Sequence, residues 1–287
     1  MQLLPLFAAL PFLSGLASAL DPTCRPGGNF DLSQWELETS INNGNGQPLV
    51  ISAKDLSGNG NGCANGWQDK GSEHQWFFTV RGSFSPVFLS RPRREPLLTT
   101  VGPPPRAQET TDGSLVMKAP GYSEDRPCIK WSGSNHCRTE FHEAKPASWA
   151  PTAGLNRLHV KLVGIRGSNV CIGQVFQVGG EANKPYAELY YHGGDGKIEI
   201  GVATCPGGAN AGCGQHLTTL GKVPLNTPFS YDIRFEGNVL KAGINGAVQT
   251  LQTYFTTPGA NFKVGNYNQG TDDSSVHLLE LTTQHGS

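Results

Sequence analysis

Apolar and polar residues alternate along most of this chain with a period of two, in short runs bounded by turn residues. On an extended strand every second side chain faces the same side. The alternation predicts strands at 158–162, 170–178, 187–191, 197–202, 230–235, 239–244, 248–254, 261–267 and 276–281. The separators are Gly-rich, among them Gly179-Gly180, Gly193-Gly194-Asp195-Gly196, Gly237-Asn238 and Asn245-Gly246. No long run carries a helical period. Many short strands at regular spacing predict an all-β fold of two packed antiparallel sheets, a β-jelly roll, as one domain over 20–287.

Three stretches depart from the ordinary pattern of one apolar and one loosely polar face. Cys137-Arg138-Thr139-Glu140-Phe141-His142-Glu143 places Arg138, Glu140 and His142 on one strand face. Phe262-Lys263-Val264-Gly265-Asn266-Tyr267-Asn268-Gln269 does the same for Lys263, Tyr267 and Gln269. Gln174-Val175-Phe176 adds an amide. Strands that carry Arg, His, Gln, Lys and Tyr together predict a polar groove on the concave face of a sheet. A long charged polymer needs such a surface.

Composition sharpens this only slightly. The 287 residues include 37 Gly and 20 Pro and are 16% charged, which favours tight turns over helices. A net charge of -1 gives no reason to expect nucleic acid or a membrane surface as partner. The first residues, MQLLPLFAALPFLSGLASA, form an uncharged apolar run ending in Ala17-Ser18-Ala19. They read as a signal peptide over 1–19 rather than a membrane anchor, so the protein is expected to be secreted and extracellular. Secretion makes disulfides expected for the seven cysteines. Cys128/Cys137 and Cys205/Cys213 each bracket a short loop, Cys24/Cys63 then pair, and Cys171 is left as a buried thiol.

One segment does not belong. Residues 80–108 hold six of the prolines and five Arg against one Glu, and they interrupt what otherwise reads as a hairpin closed at Asp112-Gly113. We read it as a retained intron that keeps the frame; the alternative is a Pro-rich disordered surface loop. A mature transcript that contains these codons would exclude the intron.

The three polar motifs, in this order, resemble the alginate-lyase-like β-jelly-roll lyases, whose motifs read R-S/T-E-L-R, Q-I-H and Y-F-K-A-G-x-Y-N-Q. Asn29 to Leu37 is similar to the first strand of that superfamily. Within it, the chain resembles most the fungal glucuronan lyases of polysaccharide lyase family 20. Three positions depart from the motifs: Phe176 replaces the histidine of Q-I-H, His142 the second arginine, and Asn261 the leading tyrosine. The resemblance implies a polysaccharide lyase that cleaves a β-1,4-linked polyuronide by β-elimination and leaves 4,5-unsaturated uronide ends. Glucuronan is the preferred substrate, and alginate is the alternative.

Such a lyase removes the proton at C5, beside the carboxylate, and expels the 4-linked oxygen. It needs a carboxylate neutraliser, a base and an acid. By resemblance Tyr267 is the acid and also a candidate base, provided that Arg138 and Lys263 supply the field that lowers its pKa. Gln174 with Arg138 is expected to clamp the carboxylate. His142, on the face of Arg138, is expected to take over part of the task lost at Phe176, as base or carboxylate neutraliser, with His74 as runner-up. Glu140 is expected to orient Arg138. Lys263, Gln269, Glu140, Tyr190 and His74 make up the expected substrate-binding set. In Tyr190-Tyr191 one ring is expected to face the groove while the other packs. The chemistry requires no cofactor; a structural Ca²⁺ is compatible with the fold, but no ligand set can be read. The chain is expected to act as a monomer on an acidic polysaccharide.

Two other functions compete. A glycoside hydrolase needs a pair of carboxylates flanking the bond, and Glu140 and Glu143 fall on opposite strand faces. A non-catalytic, lectin-like binding protein would not need Tyr, Arg, Lys, Gln and His to converge.

Overall fold

A computed structural model of the chain describes residues 19–58, 62–70, 76–80, 112–122, 128–131, 134, 136–179, 183–207 and 212–286. The expected leader, apart from Ala19, lies outside them, as do His74 and the segment after Val80 up to residue 111.

Two antiparallel sheets face each other. One has eight strands: β1 (Trp35–Asn42), β2 (Pro48–Ile51), β5 (Arg138–Glu143), β7 (Val170–Val178), β8 (Pro185–Tyr191), β9 (Lys197–Ala203), β10 (Gln215–Lys222) and β14 (Gly259–Asn268). Their spatial order is β10-β9-β8-β7-β14-β5-β1-β2. The other has seven: β3 (Phe77–Thr79), β4 (Leu115–Ala119), β6 (Leu155–Arg166), β11 (Phe229–Glu236), β12 (Val239–Ile244), β13 (Ala247–Thr250) and β15 (Ser274–Gly286). These run β13-β12-β11-β6-β15-β4-β3. The helices are single turns, α1 (Pro26–Asn29) and α2 (Ala53–Ser57). The jelly-roll sandwich expected from the alternation is the fold.

The core lies between the sheets. Trp35, Leu37 and Thr39 of β1 point into it, while Glu36, Glu38 and Ser40 point away. Phe141 and Phe262 of the first sheet and Leu162, Tyr231 and Ile233 of the second fill the same space, all fully buried. Tyr191 packs there too and donates to the Val223 carbonyl at 3.0 Å, whereas Tyr190 stays on the outer face. Gly237-Asn238 and Asn245-Gly246 make the tight turns on either side of β12, with φ between +50° and +84° at all four residues. Hairpin turns of this hand require that conformation, which is why Gly and Asn stand there.

Four expectations need adjustment. The strand expected at 248–254 is the short β13, because the chain leaves the sheet after Thr250. The similarity at Asn29 to Leu37 covers a helical turn as well as a strand, and β1 starts only at Trp35. Strand β10 escaped the pattern because it is a sheet edge with most of its residues exposed or half-exposed. Strand β2 escaped because it is only four residues long. The described part of the expected hairpin is present: Phe77 pairs with Met117 and Thr79 with Leu115.

Disulfides join Cys24–Cys63, Cys128–Cys137 and Cys205–Cys213, and Cys171 is free and buried. Among the described residues no helix is long and apolar enough to cross a membrane.

Candidate active site

The three polar motifs lie on β5, β7 and β14, which are neighbours in the order β7-β14-β5. Register then aligns their side chains. Lys263 pairs with His142 on one side and Gln174 on the other, and Tyr267 pairs with Arg138. Residues far apart in sequence thus share two rows across one sheet face. They line an open cavity of about 620 Å³, together with Glu38, Ser134 and Asn261. Gly265, between Lys263 and Tyr267, has φ +145°, and a Cβ there would stand 2.7 Å from the Thr139 carbonyl oxygen. Only glycine lets β14 approach β5 this closely. On the opposite face of β14, Asn266 donates to the Met117 carbonyl at 3.0 Å and Asn268 to that of Asp272 at 2.7 Å. The Asn-Tyr-Asn sequence therefore anchors the strand from below and offers the tyrosine above.

Glu38 is the hub of the site. Its Oε2 accepts from Lys263 Nζ at 2.9 Å and Arg138 Nη1 at 3.1 Å, and its Oε1 lies 3.6 Å from His142 Nδ1. Burial works to raise the Glu38 carboxyl, but Lys263 and then Arg138 outweigh it and hold it below the ordinary value. Glu140, fully buried, accepts from Arg138 Nη1 at 3.1 Å and Gln174 Nε2 at 2.5 Å. Burial lifts its carboxyl above the ordinary value against the pull of Arg138. Arg138 Nη2 donates to Ser134 Oγ at 3.1 Å, and its guanidinium stands 4.1 Å over the Tyr267 ring. Ser134 Oγ is also 3.1 Å from the Tyr267 hydroxyl. Lys263 Nζ sits 4.7 Å over the Phe176 ring, so the aromatic that replaces the motif histidine carries a cation on its face.

Two protonation states follow. Burial, then Lys263, depress the His142 imidazole below 6.5, so the ring is neutral at neutral pH. Burial raises the Tyr267 phenol above 10.0, and Arg138 and Ser134 reduce that rise without reversing it. The field expected to turn Tyr267 into a base does not do so. Tyr267 is a protonated phenol with a cation poised over its ring.

Other expectations change as well. Glu38 and Glu140 occupy Arg138 Nη1 and Ser134 takes one Nη2 hydrogen, which leaves Nε and the second Nη2 hydrogen without a partner among the described residues. Gln174 keeps one amide hydrogen for a ligand beyond the one given to Glu140. Gln269 lies outside the cavity: β14 ends at Asn268, Gly270 N–H donates back to Asn268 Oδ1 at 2.9 Å, and the Gln269 amide turns to the Tyr267 carbonyl. Tyr190 faces the outer side of the sheet but does not line the cavity; its hydroxyl lies 2.9 Å from both Glu188 Oε2 and Gln215 Oε1. Glu143 points inward, accepting from Trp149 Nε1 at 2.8 Å and the Phe262 N–H at 3.0 Å. It cannot pair with Glu140 across a substrate. Glu38, Ser134 and Asn261 were missed as site residues. The alternation of Glu36, Glu38 and Ser40 with Trp35, Leu37 and Thr39 was the signal for Glu38. Among the described residues the one grouping of three His, Cys, Asp or Glu ligand atoms is Asp21, Cys24 and Cys63, and its two thiols are joined in a disulfide.

The fold is a two-sheet jelly-roll sandwich with a floor of charged side chains across β5, β14 and β7. The family model for alginate lyase matches residues 101–285, and the chain belongs to that family. Solved structures agree on the fold. Alginate lyase A1-II', a member of polysaccharide lyase family 7, superposes with a TM-score of 0.67 at 17% identity, covering 92% of this chain and 100% of that one. An alginate lyase from Pseudomonas aeruginosa gives 0.62 at 18% identity, over 90% and 100% of the two chains. One from Corynebacterium sp. gives 0.63 at 16%, over 92% and 100%. No curated protein matches the sequence significantly.

Proposed function

We propose that this protein is a secreted, monomeric lyase that cleaves a β-1,4-linked polyuronide, glucuronan in preference to alginate, by β-elimination. One observation carries the reading: a neutral imidazole, a protonated phenol under a cation, a lysine paired with Glu38 and an amide with one hydrogen to spare line one open cavity. In the proposed reaction the substrate carboxylate lies against Lys263 and Gln174, which stabilise the enediolate. His142 Nε2 takes the C5 proton once substrate has displaced the Asn261 amide that donates to it at 2.8 Å. The C5–H electron pair forms the C4–C5 double bond as the C4–O bond breaks, and Tyr267 donates its phenolic proton to the leaving oxygen. Arg138, over the Tyr267 ring, eases the build-up of negative charge there. The steps use side chains alone and call on no cofactor.

The substrate preference rests on the three motif departures, which remove the histidine and arginine of the alginate pattern. Alginate is the second reading, favoured by the family match. The test is to incubate the secreted protein with glucuronan, alginate and a neutral β-glucan and follow ultraviolet absorbance of unsaturated uronide. A rise on glucuronan is expected. A rise on alginate alone would keep the mechanism and overturn the substrate. Binding with no rise on either would leave a lectin-like protein.

A further inference from the structure

The cross-strand row that carries His142, Lys263 and Gln174 does not stop at the cavity. By register it continues at Glu188 on β8, Gly201 on β9 and Leu217 on β10. Neighbouring strands stand about 4.8 Å apart, so a polymer that leaves the cavity along this row passes over Glu188 next. Glu188 is buried beside the half-buried Tyr190 and the exposed Gln215. Three contacts join them in a ring. The Tyr190 hydroxyl lies 2.9 Å from both Glu188 Oε2 and Gln215 Oε1, and Gln215 Nε2 lies 2.5 Å from Glu188 Oε2. A Cβ at Gly201 would stand 2.5 Å from Gln215 Oε1, so glycine there leaves the room for this reach. Each contact needs one hydrogen. The phenol supplies one and the amide another. With Glu188 ionised, the third contact sets two acceptors face to face. Turning the Gln215 amide over does not help, because its oxygen then faces Glu188 Oε2 instead. Only a proton on Glu188 gives all three contacts a hydrogen.

We propose that the β8–β9–β10 half of the face is a second binding seat, for a uronate unit beyond the cavity, and that a proton on Glu188 opens it. This rests on the polyuronide reading of the cavity. With the proton, the ring is closed and the seat is neutral. Gly201 and the Leu217 side chain beside it, which is 52% exposed, then offer an apolar surface to the sugar. Without the proton, a negative charge lies one strand beyond Gln174 and repels the uronate carboxylate. Glu188 acts through its charge and does not touch the sugar. Burial raises its carboxyl above the ordinary 4.5, against the pull of Tyr190, Gln215 and Arg138, so the proton is kept into less acidic solution than an ordinary carboxyl allows. The groups that face Glu188 are Tyr190 of its own strand, Gln174 and the Cys171 thiol from β7, Arg138 from β5, Tyr267 from β14 and Gln215 from β10. From β9 it meets Gly201, while Glu199 of that strand is engaged by His192 at 2.7 Å and Lys197 at 3.0 Å.

The test measures binding rather than turnover. β-1,4-Glucuronate oligosaccharides of three and six units are titrated by calorimetry into the Tyr267→Phe protein at about pH 4.5 and about pH 8. The trisaccharide is the reference for the titration of the cavity groups His142 and Glu38. The advantage of the hexasaccharide over the trisaccharide is expected to be about threefold to tenfold larger at the acid pH. Adding Glu188→Gln keeps the side-chain shape and removes the charge. The advantage should then be the same at both pH values, and as large as it is in acid with Glu188 in place. An advantage that ignores pH in the protein that retains Glu188 overturns the proposal, and that result needs no Glu188 variant to fold. A pH effect that survives Glu188→Gln overturns it as well, and so does failure of the hexasaccharide to bind. A pH effect abolished by Glu188→Gln, with no unsaturated uronide formed by the unsubstituted protein, would keep the seat and remove the lyase reading.

Discussion

Tyr267 and Tyr190 occupy the same face of the same sheet, and burial raises the phenol of both, yet their surroundings are opposite in sign. Tyr267 lies under the Arg138 guanidinium and beside a hydroxyl. Tyr190 lies against the Glu188 carboxylate, which has only neutral donors for company and is itself raised by burial. A phenol that must give up a proton needs positive charge nearby; one held to a carboxylate keeps its proton. On the proposed mechanism the acid therefore belongs to the β5–β14–β7 half of the face, and Tyr190 on the β8–β9–β10 half is expected only to support it. Strand alternation alone puts polar groups on both halves. What separates the two tyrosines is the Arg138 guanidinium over one ring and the Glu188 carboxylate beside the other.

The largest effect should come from Tyr267→Phe. Loss of the proposed acid is expected to lower kcat about 10³-fold with the fold intact, as judged by the thermal melt. Turnover within a few fold of the starting protein would place the acid elsewhere and dissolve the contrast between the two tyrosines.

Next comes the pair Glu38→Gln and Glu188→Gln. Glu38 loses charge-assisted bonds to Lys263 and Arg138, so Glu38→Gln should cost about 2 kcal/mol of stability. It should also lower kcat/KM about tenfold. Glu188→Gln replaces a carboxylate that has no cation in contact and should cost less than about 1 kcal/mol. Equal losses would show that the two halves are not electrostatically distinct. The sign of the pH dependence also follows. The folded Glu38 carboxyl lies below its ordinary 4.5, so its ion pairs stabilise the fold above that value and are lost as pH falls through the lower folded value.

The activity profile gives a further test. The proposed base, His142, titrates below 6.5 and the acid, Tyr267, above 10.0, so kcat/KM should stay high between them. The groups facing His142 are Glu38 and Glu36 from β1, Lys263 and Asn261 from β14, and Glu143 and Arg138 of its own strand. Glu38 raises the imidazole, so Glu38→Gln should move the acid limb to lower pH. An acid limb that stays put would remove His142 as the titrating base.

Much of this was legible beforehand. Alternation located the strands that carry Arg138, Gln174 and Tyr267, and the disulfide pairs followed from spacing. The sequence also reads as a hairpin interrupted by residues 80–108, and β3 and β4 on either side of that segment do pair. We therefore expect a variant lacking 80–108 to melt at the same temperature as the full chain. A large drop in the melt would make the segment structural. What could not be read was pairing across strands. Glu38 reaches Lys263 across 225 positions of chain, and nothing local to either residue announces the partner. The occupied guanidinium of Arg138 is hidden for the same reason. Gln269 shows the converse error: period-two counting was carried one residue past the end of the strand.

That error supplies the smallest expected effect. Gln269 donates its backbone N–H to the Asn169 carbonyl at 2.9 Å, and its amide reaches only the Tyr267 carbonyl at 3.3 Å. Gln269→Ala keeps the backbone bond and removes a weak, part-exposed one, so kcat/KM should change by less than about twofold. Tyr190→Phe should rank just above it, at less than about threefold, because it removes a hydrogen bond to Glu188 outside the cavity. The order matters more than either number. If Gln269→Ala impaired activity more than Tyr190→Phe, the Tyr267 end of β14 would have to rearrange when substrate binds, bringing the motif's last residue into the groove. If both stay near the starting activity while Tyr267→Phe loses turnover, the chemistry is confined to the cavity between β1 and β7, and the rest of the polar face serves only to hold the polymer.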